Sequence, residues 1–99
     1  MTHSFHPEAL DEYQASAIFY LREASKATAT AFVSVIEAGI SEIVQAPTRW
    51  RIVEAPGIRR YVCPRFPFVI YYRHEGKSVV VYAVMHASRK PGYWADRTR

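Results

Sequence analysis

The stretch Phe68–His86, FVIYYRHEGKSVVVYAVMH, decides the architecture of this chain. Phe68 to His74 and Ser78 to His86 are rich in Val, Ile, Phe and Tyr and flank the polar turn Glu75-Gly76-Lys77, the pattern of two antiparallel strands joined by a tight loop. Upstream, Ile58 to Cys63 repeats that composition, with Pro64 and Pro67 marking the connection, so three consecutive strands make a meander. Arg51 to Glu54 is a candidate for a further short piece, and Thr2 to His6 for an N-terminal edge strand. Both alternating sets of the last two strands are largely apolar. One sheet face is therefore expected to pack on the rest of the chain, while the other keeps aromatic residues mixed with charge and is the place to look for function.

The N-terminal half has a different period. Between Pro7 and Ser25, Leu10, Tyr13, Ala17, Tyr20, Leu21 and Ala24 recur at helical spacing. Pro7 suits the first helical position, and Glu8, Asp11 and Glu12 complement the positive end of the helix dipole. Ile18 and Phe19 add more apolar surface than one buried stripe needs, so they meet either a second element of the core or a partner. A second helix is expected from Lys26 to Gln45, capped by Ser25 or Thr28, with Ala29, Phe32, Val33, Ile36, Ile40, Ile43 and Val44 on one face and Pro47 beyond its end. With almost no linker between them the helices must turn back on each other. The expected fold class is α+β: an N-terminal antiparallel helical hairpin packed on one face of a small three- to four-stranded antiparallel sheet, in a single domain over residues 1–99.

Composition limits the function. Ninety-nine residues, 49% hydrophobic and 22% charged, suit one globular domain and exclude a two-domain enzyme or a disordered chain. A single cysteine, Cys63, has neither a disulfide partner nor a CxxC neighbour and is expected to be buried packing; His3 and His6 lack further ligands for a metal. No cofactor site is expected. No run approaches the roughly 18 apolar residues of a membrane span, and MTHSFHPEALDEY is not a secretory leader, so a cytoplasmic protein without a membrane partner is expected. Residues 1–48 hold two basic side chains against six acidic ones, a net −4; residues 49–99 hold eleven against three, a net +8. Such a basic half attracts polyanions, whether nucleic acid or an acidic protein segment.

An ordered set of residues carries a family resemblance. Pro7-Glu8-Ala9 with Tyr20, then Arg59-Arg60-Tyr61-Val62, Arg65-Phe66-Pro67-Phe68-Val69-Ile70-Tyr71-Tyr72, Ala83-Val84-Met85-His86, Arg89-Lys90-Pro91-Gly92-Tyr93-Trp94 and Arg97 resemble the RelE/ParE superfamily of toxins from type II toxin–antitoxin modules, with the closest match to its ParE-like, plasmid-stabilisation branch. The resemblance implies two helices on a small antiparallel sheet, a cognate antitoxin whose partly disordered segment folds over the toxin, and a toxin–antitoxin hetero-oligomer. It leaves the target open. ParE-like members inhibit DNA gyrase; RelE-like members cut messenger RNA on the ribosome; a non-toxic antitoxin-binding relative is a third reading. Direct DNA binding is not expected, since antitoxins of these modules usually carry the DNA-binding domain.

Cleavage of RNA through its 2′-hydroxyl needs a base, a cation at the phosphate and an acid for the leaving oxygen. Glu54 or His86 would serve as base or acid, Arg65, Arg73 or Arg89 at the phosphate, and Tyr93 as an acid or a stacking ring. RNA-cutting relatives usually carry lysines leading into the sheet, and this chain has none between Lys26 and Lys77. For His86 the competing reading is a bond to backbone or to Tyr93 that holds the C-terminal turn. Arg65 and Arg97 have a bracing alternative too, in pairs with Glu54 or Asp96. Taken as a cluster, Arg59, Arg60, Arg65, Arg73, His86, Arg89, Lys90, Tyr93, Trp94 and Arg97, with Ile18 and Phe19 on the first helix, are the candidate contacts for target or antitoxin. Trp94 is also placed to pin the tail onto the sheet.

Overall fold

The computed structural model describes residues 1–90 and 92–98; Pro91 of the C-terminal motif and Arg99 of the basic half lie outside the described residues. Element order is β1 (Thr2–Phe5), α1 (Pro7–Glu23), α2 (Lys26–Gln45), β2 (Ile52–Glu54), β3 (Ile58–Val62), β4 (Phe68–Glu75), β5 (Ser78–His86) and a C-terminal 3-10 turn (Ala95–Thr98). Pro7 opens α1, and the His6 ring caps it by accepting the Glu8 N–H at 3.2 Å. Ser25, rather than Thr28, caps α2, its hydroxyl accepting the Thr28 N–H at 3.0 Å.

The class is α+β, but the sheet departs from expectation. It has five strands in the order β1-β5-β4-β3-β2, and it is mixed: β1 runs parallel to β5, with Thr2 opposite Ser78 and Phe5 opposite Val81. The chain leaves β1 straight into α1 and returns to β1's flank only after both helices and the meander. That long crossover brings the two strands together in the same direction. The other three pairings are antiparallel.

The helices cover one face. Phe32, Val35, Ile36, Ile40 and Ile43 of α2 and Ala9 and Tyr13 of α1 are buried against Tyr61, Phe68, Ile70, Tyr72, Val79, Val81 and Val84. Gly39 lets α2 approach β3, since a Cβ there would stand 2.8 Å from Tyr61 Cε1. By length and composition α2 is apolar enough to cross a membrane, which the sequence reading did not anticipate; Phe32, Val35, Ile36, Ile40 and Ile43 of it are buried on the sheet. Val33 departs from its expected place in the core and is 36% exposed, as are Leu10 and Leu21 of α1, at 38% and 53%.

The second face has its own apolar cluster of Ile58, Val69, Tyr71, Tyr82, Ala83, Met85 and Trp94. A bulge in β5 makes this possible. Tyr71 pairs with Ala83 and Tyr72 with Val81, so Tyr82 is an extra residue that joins Ala83 on this side. Trp94 lies over Tyr71 at 4.8 Å between centroids, so the C-terminal segment closes part of the face.

Candidate functional site

Glu12 is the centre of the densest polar cluster. Its carboxylate takes a two-pronged contact from Arg97, Nη1 to Oε1 and Nη2 to Oε2, both 2.9 Å, together with the Tyr93 hydroxyl and a longer bond from Arg89 Nη1 at 3.4 Å. It also accepts the Val84 N–H at 3.2 Å, while Arg97 donates to the Tyr82 carbonyl at 3.0 Å. Strand β1 pairs with β5 only as far as Val81. Glu12 and Arg97 thus satisfy main-chain groups of β5 beyond the point where β1 stops. The Arg97 and Glu12 side chains are only 9% and 12% exposed, and Glu8 adds a contact to Arg97 Nε at 3.0 Å. Burial on its own would lower the Arg97 pKa; the Glu12 bonds and charge outweigh it, and the net shift is upward. Burial and the Glu12 bond raise the Tyr93 hydroxyl well above the ordinary range, so it stays protonated.

A second cluster sits on the opposite sheet face from the helices. Arg73 Nε meets Glu75 at 2.8 Å, Arg73 Nη2 donates to the Tyr82 hydroxyl at 3.0 Å, and that hydroxyl donates to Glu75 at 2.6 Å. Each member satisfies the other two. The Tyr82 bond, opposed by partial burial and reinforced by Arg73, holds the Glu75 carboxyl below its usual value.

The residues proposed for RNA chemistry are only partly gathered: His86 and Arg89 line one hollow with Glu12, which also holds Tyr93, whereas Arg65, Arg73 and Glu54 do not line it. His86 is exposed at the end of β5; its Nδ1 accepts the Ser88 N–H at 3.1 Å and lies 2.7 Å from the Ser88 hydroxyl, and its ring stands edge-on to Phe68. It therefore bonds to backbone and Ser88, not to Tyr93. His86 pairs opposite Phe68 and Arg73 opposite Val80, five residues away along β4, roughly 17 Å at strand rise. Tyr93 is held by Glu12, with the Arg89 guanidinium 3.7 Å from its ring centre. Glu54 is exposed on β2. Arg65 is exposed at the β3–β4 connection with φ of 65°, and the Phe66 N–H bonds to the Pro64 carbonyl at 2.7 Å across it, a strained γ-turn. Phe66 packs on Tyr20 and Phe32, which fixes that turn. Arg59 donates to the Trp50 and Thr48 carbonyls at 2.6 and 3.2 Å; Arg60 and Lys90 are exposed. Burial pushes the Cys63 thiol up to about 12, which keeps it protonated and unreactive. No group of three His, Cys, Asp or Glu among the described residues is placed to hold a metal ion.

The apolar excess on α1 resolves into a surface. Ile18 and Phe19 are 46% and 59% exposed. Ile18, Leu21 and Val33 line an open groove of about 530 Å³ between the helices, together with the half-buried Ala17 and Ala29 and with Lys26 and Ser34. Phe19 lies on the other flank of α1, beside a smaller hollow with Tyr20, Phe68 and His86. Sequence reasoning missed three features here. Leu21 and Val33 look like core because they share the periodicity of the buried stripes, and Glu12 looks like an ordinary first-turn acid. Only the return of the C-terminus to α1 singles Glu12 out.

A family model described as the ParE toxin of the type II toxin–antitoxin system parDE matches residues 4–91. Among solved structures, the chain is similar to one described as the chromosomal ParDE toxin–antitoxin system from P. aeruginosa, with a TM-score of 0.78 and 21% identity over 89% of this chain and 97% of that one. At that identity the likeness is one of fold. No curated protein matches.

Proposed function

Since the chain belongs to the ParE toxin family of type II toxin–antitoxin systems, we propose that it is a single-domain toxin acting in the cytoplasm, that it inhibits DNA gyrase, and that a cognate antitoxin neutralises it by occupying the groove between α1 and α2. The observation that carries the antitoxin surface is the exposure of Ile18, Leu21 and Val33 around one groove. Apolar side chains gathered in a concave, unpartnered site are what an amphipathic helix covers. The similar ParDE structure, a toxin–antitoxin system by its description, supports a protein partner. Gyrase inhibition is favoured over messenger cleavage because Arg73 stands roughly 17 Å along the sheet from His86, and Arg73 and Tyr93 are each engaged by a carboxylate. A poison that works by binding needs surface rather than a proton relay.

Purified protein added to gyrase and relaxed plasmid is expected to block supercoiling, while messages in a translating extract stay intact. Cleaved messages with supercoiling unaffected would assign the RelE-type reading instead. Co-expression with the neighbouring gene product is expected to yield a complex that Ile18→Glu disrupts while leaving the circular dichroism of the toxin unchanged. A complex indifferent to Ile18→Glu and Val33→Glu would refute the groove.

A further inference from the structure

Two hollows on the flank of α1 away from the helical groove run into one another. One, of about 270 Å³, is lined by Phe19, Tyr20 and Phe68; the other, of about 350 Å³, by Asp11, Glu12, Val84 and Arg89; Ala15, Ser16 and His86 line both. The result is a trough with a ring-lined end and a charged end. Helix periodicity builds it. Asp11, Ala15 and Phe19 stand on successive turns of α1, roughly 6 Å apart along its axis. The middle turn carries only the small side chains of Ala15 and Ser16, which leave space against the end of β5.

The polar groups of the trough are specific in kind. Asp11 is exposed and has no partner among the described residues. The Arg89 N–H bonds to the His86 carbonyl at 3.0 Å, a turn that keeps both residues at one end of the sheet. Arg89 is 54% exposed and gives Glu12 a single long bond of 3.4 Å, so most of its donors are unused. His86 Nδ1 accepts the Ser88 N–H at 3.1 Å, which puts the ring proton on Nε2. At the other end Phe19, 59% exposed, stands 5.7 Å from Tyr20, and His86 stands 5.3 Å from Phe68. The trough thus offers one free carboxylate, two donors of which one is cationic, and a recess walled by rings. Its charges balance, Asp11 and Glu12 being set against Arg89 and against Arg97 behind Glu12.

We infer that this trough binds a free α-amino acid with a large apolar side chain, its ammonium on Asp11, its carboxylate between Arg89 and His86 Nε2–H, and its side chain against Phe19, Tyr20 and Phe68. The length fits. Asp11 and Phe19 lie roughly 12 Å apart along the helix axis, which phenylalanine fills with an ion pair of about 2.8 Å, about 5 Å from ammonium to ring centre, and a ring contact of about 4.5 Å. A zwitterion without net charge suits a site without net charge, whereas a nucleotide would bring its phosphate to the same end as Asp11 and Glu12. A plain hydrocarbon would leave Asp11, Arg89 and His86 unused, and within a polypeptide no carbon carries both ammonium and carboxylate. The trough shares no residue with the groove between α1 and α2 and stands independently of the toxin reading.

The test titrates the full chain with L-phenylalanine and follows backbone amide NMR shifts, beside phenylalaninamide, phenylpropionate and adenosine monophosphate. An open trough and a small ligand set the expected Kd at about 1 mM, with the shifts centred on Ala15, Phe19 and His86. Phenylalaninamide and phenylpropionate, each lacking one of the two charges, should bind at least about tenfold more weakly. Asp11→Asn and Arg89→Gln should weaken phenylalanine by a similar factor, Ala15→Leu should abolish its binding by filling the middle turn, and Val33→Glu should leave it unchanged. Phenylpropionate binding as tightly, or Asp11→Asn without effect, would overturn the proposal in favour of simple apolar adsorption. Tighter binding of adenosine monophosphate at the same amides would overturn it in favour of a nucleotide site, and loss of binding in Val33→Glu in favour of the helical groove. No shift at about 20 mM phenylalanine would overturn it outright. Melting temperatures check that each variant is folded.

Discussion

Replacing Glu12 by Gln tests the C-terminal clasp most directly, because the change keeps the shape and removes only the charge. In the native protein Arg97 is 9% exposed and forks onto a carboxylate that is 12% exposed. Removing one member of a buried pair costs about 3–5 kcal/mol, since the other charge is left without compensation. Glu8 still stands 3.0 Å from Arg97 Nε, but at 63% exposure it is screened and offsets under about 1 kcal/mol. The expected loss is therefore near the lower end, about 3 kcal/mol. For a chain of this length that lowers the melting temperature by roughly 12–24 °C, at about 4–8 °C per kcal/mol. Urea denaturation followed by circular dichroism measures it, and Trp94 fluorescence in a Trp50→Phe background reports whether the strap loosens first. The double variant Glu12→Gln with Arg97→Met removes both charges and should recover at least about 2 kcal/mol. A cost below about 1 kcal/mol for Glu12→Gln, or single costs that simply add in the double variant, would refute the view that this pair is a buried, coupled unit.

Three further outcomes follow from the geometry. Gly39→Ala places a Cβ 2.8 Å from Tyr61 Cε1 and 3.3 Å from Ile70 Cδ1; the overpacking, about 1–3 kcal/mol, exceeds the roughly 1 kcal/mol gained in helix propensity, so the urea midpoint should fall, and a rise would contradict the close approach of α2 to β3. Arg65→Gly relieves a φ of 65° and should stabilise the fold by about 1 kcal/mol, read as a higher urea midpoint; a loss would mean that the Arg65 side chain braces the fold. Burial lifts the hydroxyls of Tyr61 and Tyr72 from 10 to about 12. A raised pKa favours the protonated form when folded, so this stabilisation is complete below pH 10 and is lost as pH climbs through about 12. Tyrosinate absorbance should therefore rise in two stages, the later one accompanied by unfolding, whereas a single stage near pH 10 would contradict the burial.

Local signals in the chain mark the helices, the meander and the turn at Gly76, because each depends on residues close in sequence. Strand β1 was readable as a strand but not in its pairing. Thr2–Phe5 meets Ser78–Val81, and nothing in four residues encodes a parallel register with a segment more than seventy positions away. The bulge at Tyr82 is equally silent, since a run of apolar residues reads the same with or without an extra member. At the candidate site, the surplus of Ile18 and Phe19 was visible as surplus, whereas Leu21 and Val33 were hidden by sharing the period of the buried stripes. Arg73 and Arg97 stood out as cations; their partners, two positions away in one case and on α1 in the other, needed the fold.

The division of charge along the chain turns out to be a poor guide to charge on the surface, and the topology explains why. An acidic first half and a basic second half suggest two poles, but α1 packs beside β5, so its Glu8 and Glu12 reach the C-terminal arginines and neutralise them in place. Helix α2 lies over the middle of the sheet and spends Glu37 and Glu42 on the hydroxyls of Tyr13 and Tyr61. On strands β2 and β3 themselves Glu54 is the single acid. Strands β2 and β3 are the farthest from α1 in the strand order, and there Arg60 and the neighbouring Arg51 are exposed, while Arg59 bonds to neutral carbonyls. Which arginines remain free to bind another molecule is thus decided by the position of α1 along the sheet, and not by the number of basic residues in the chain.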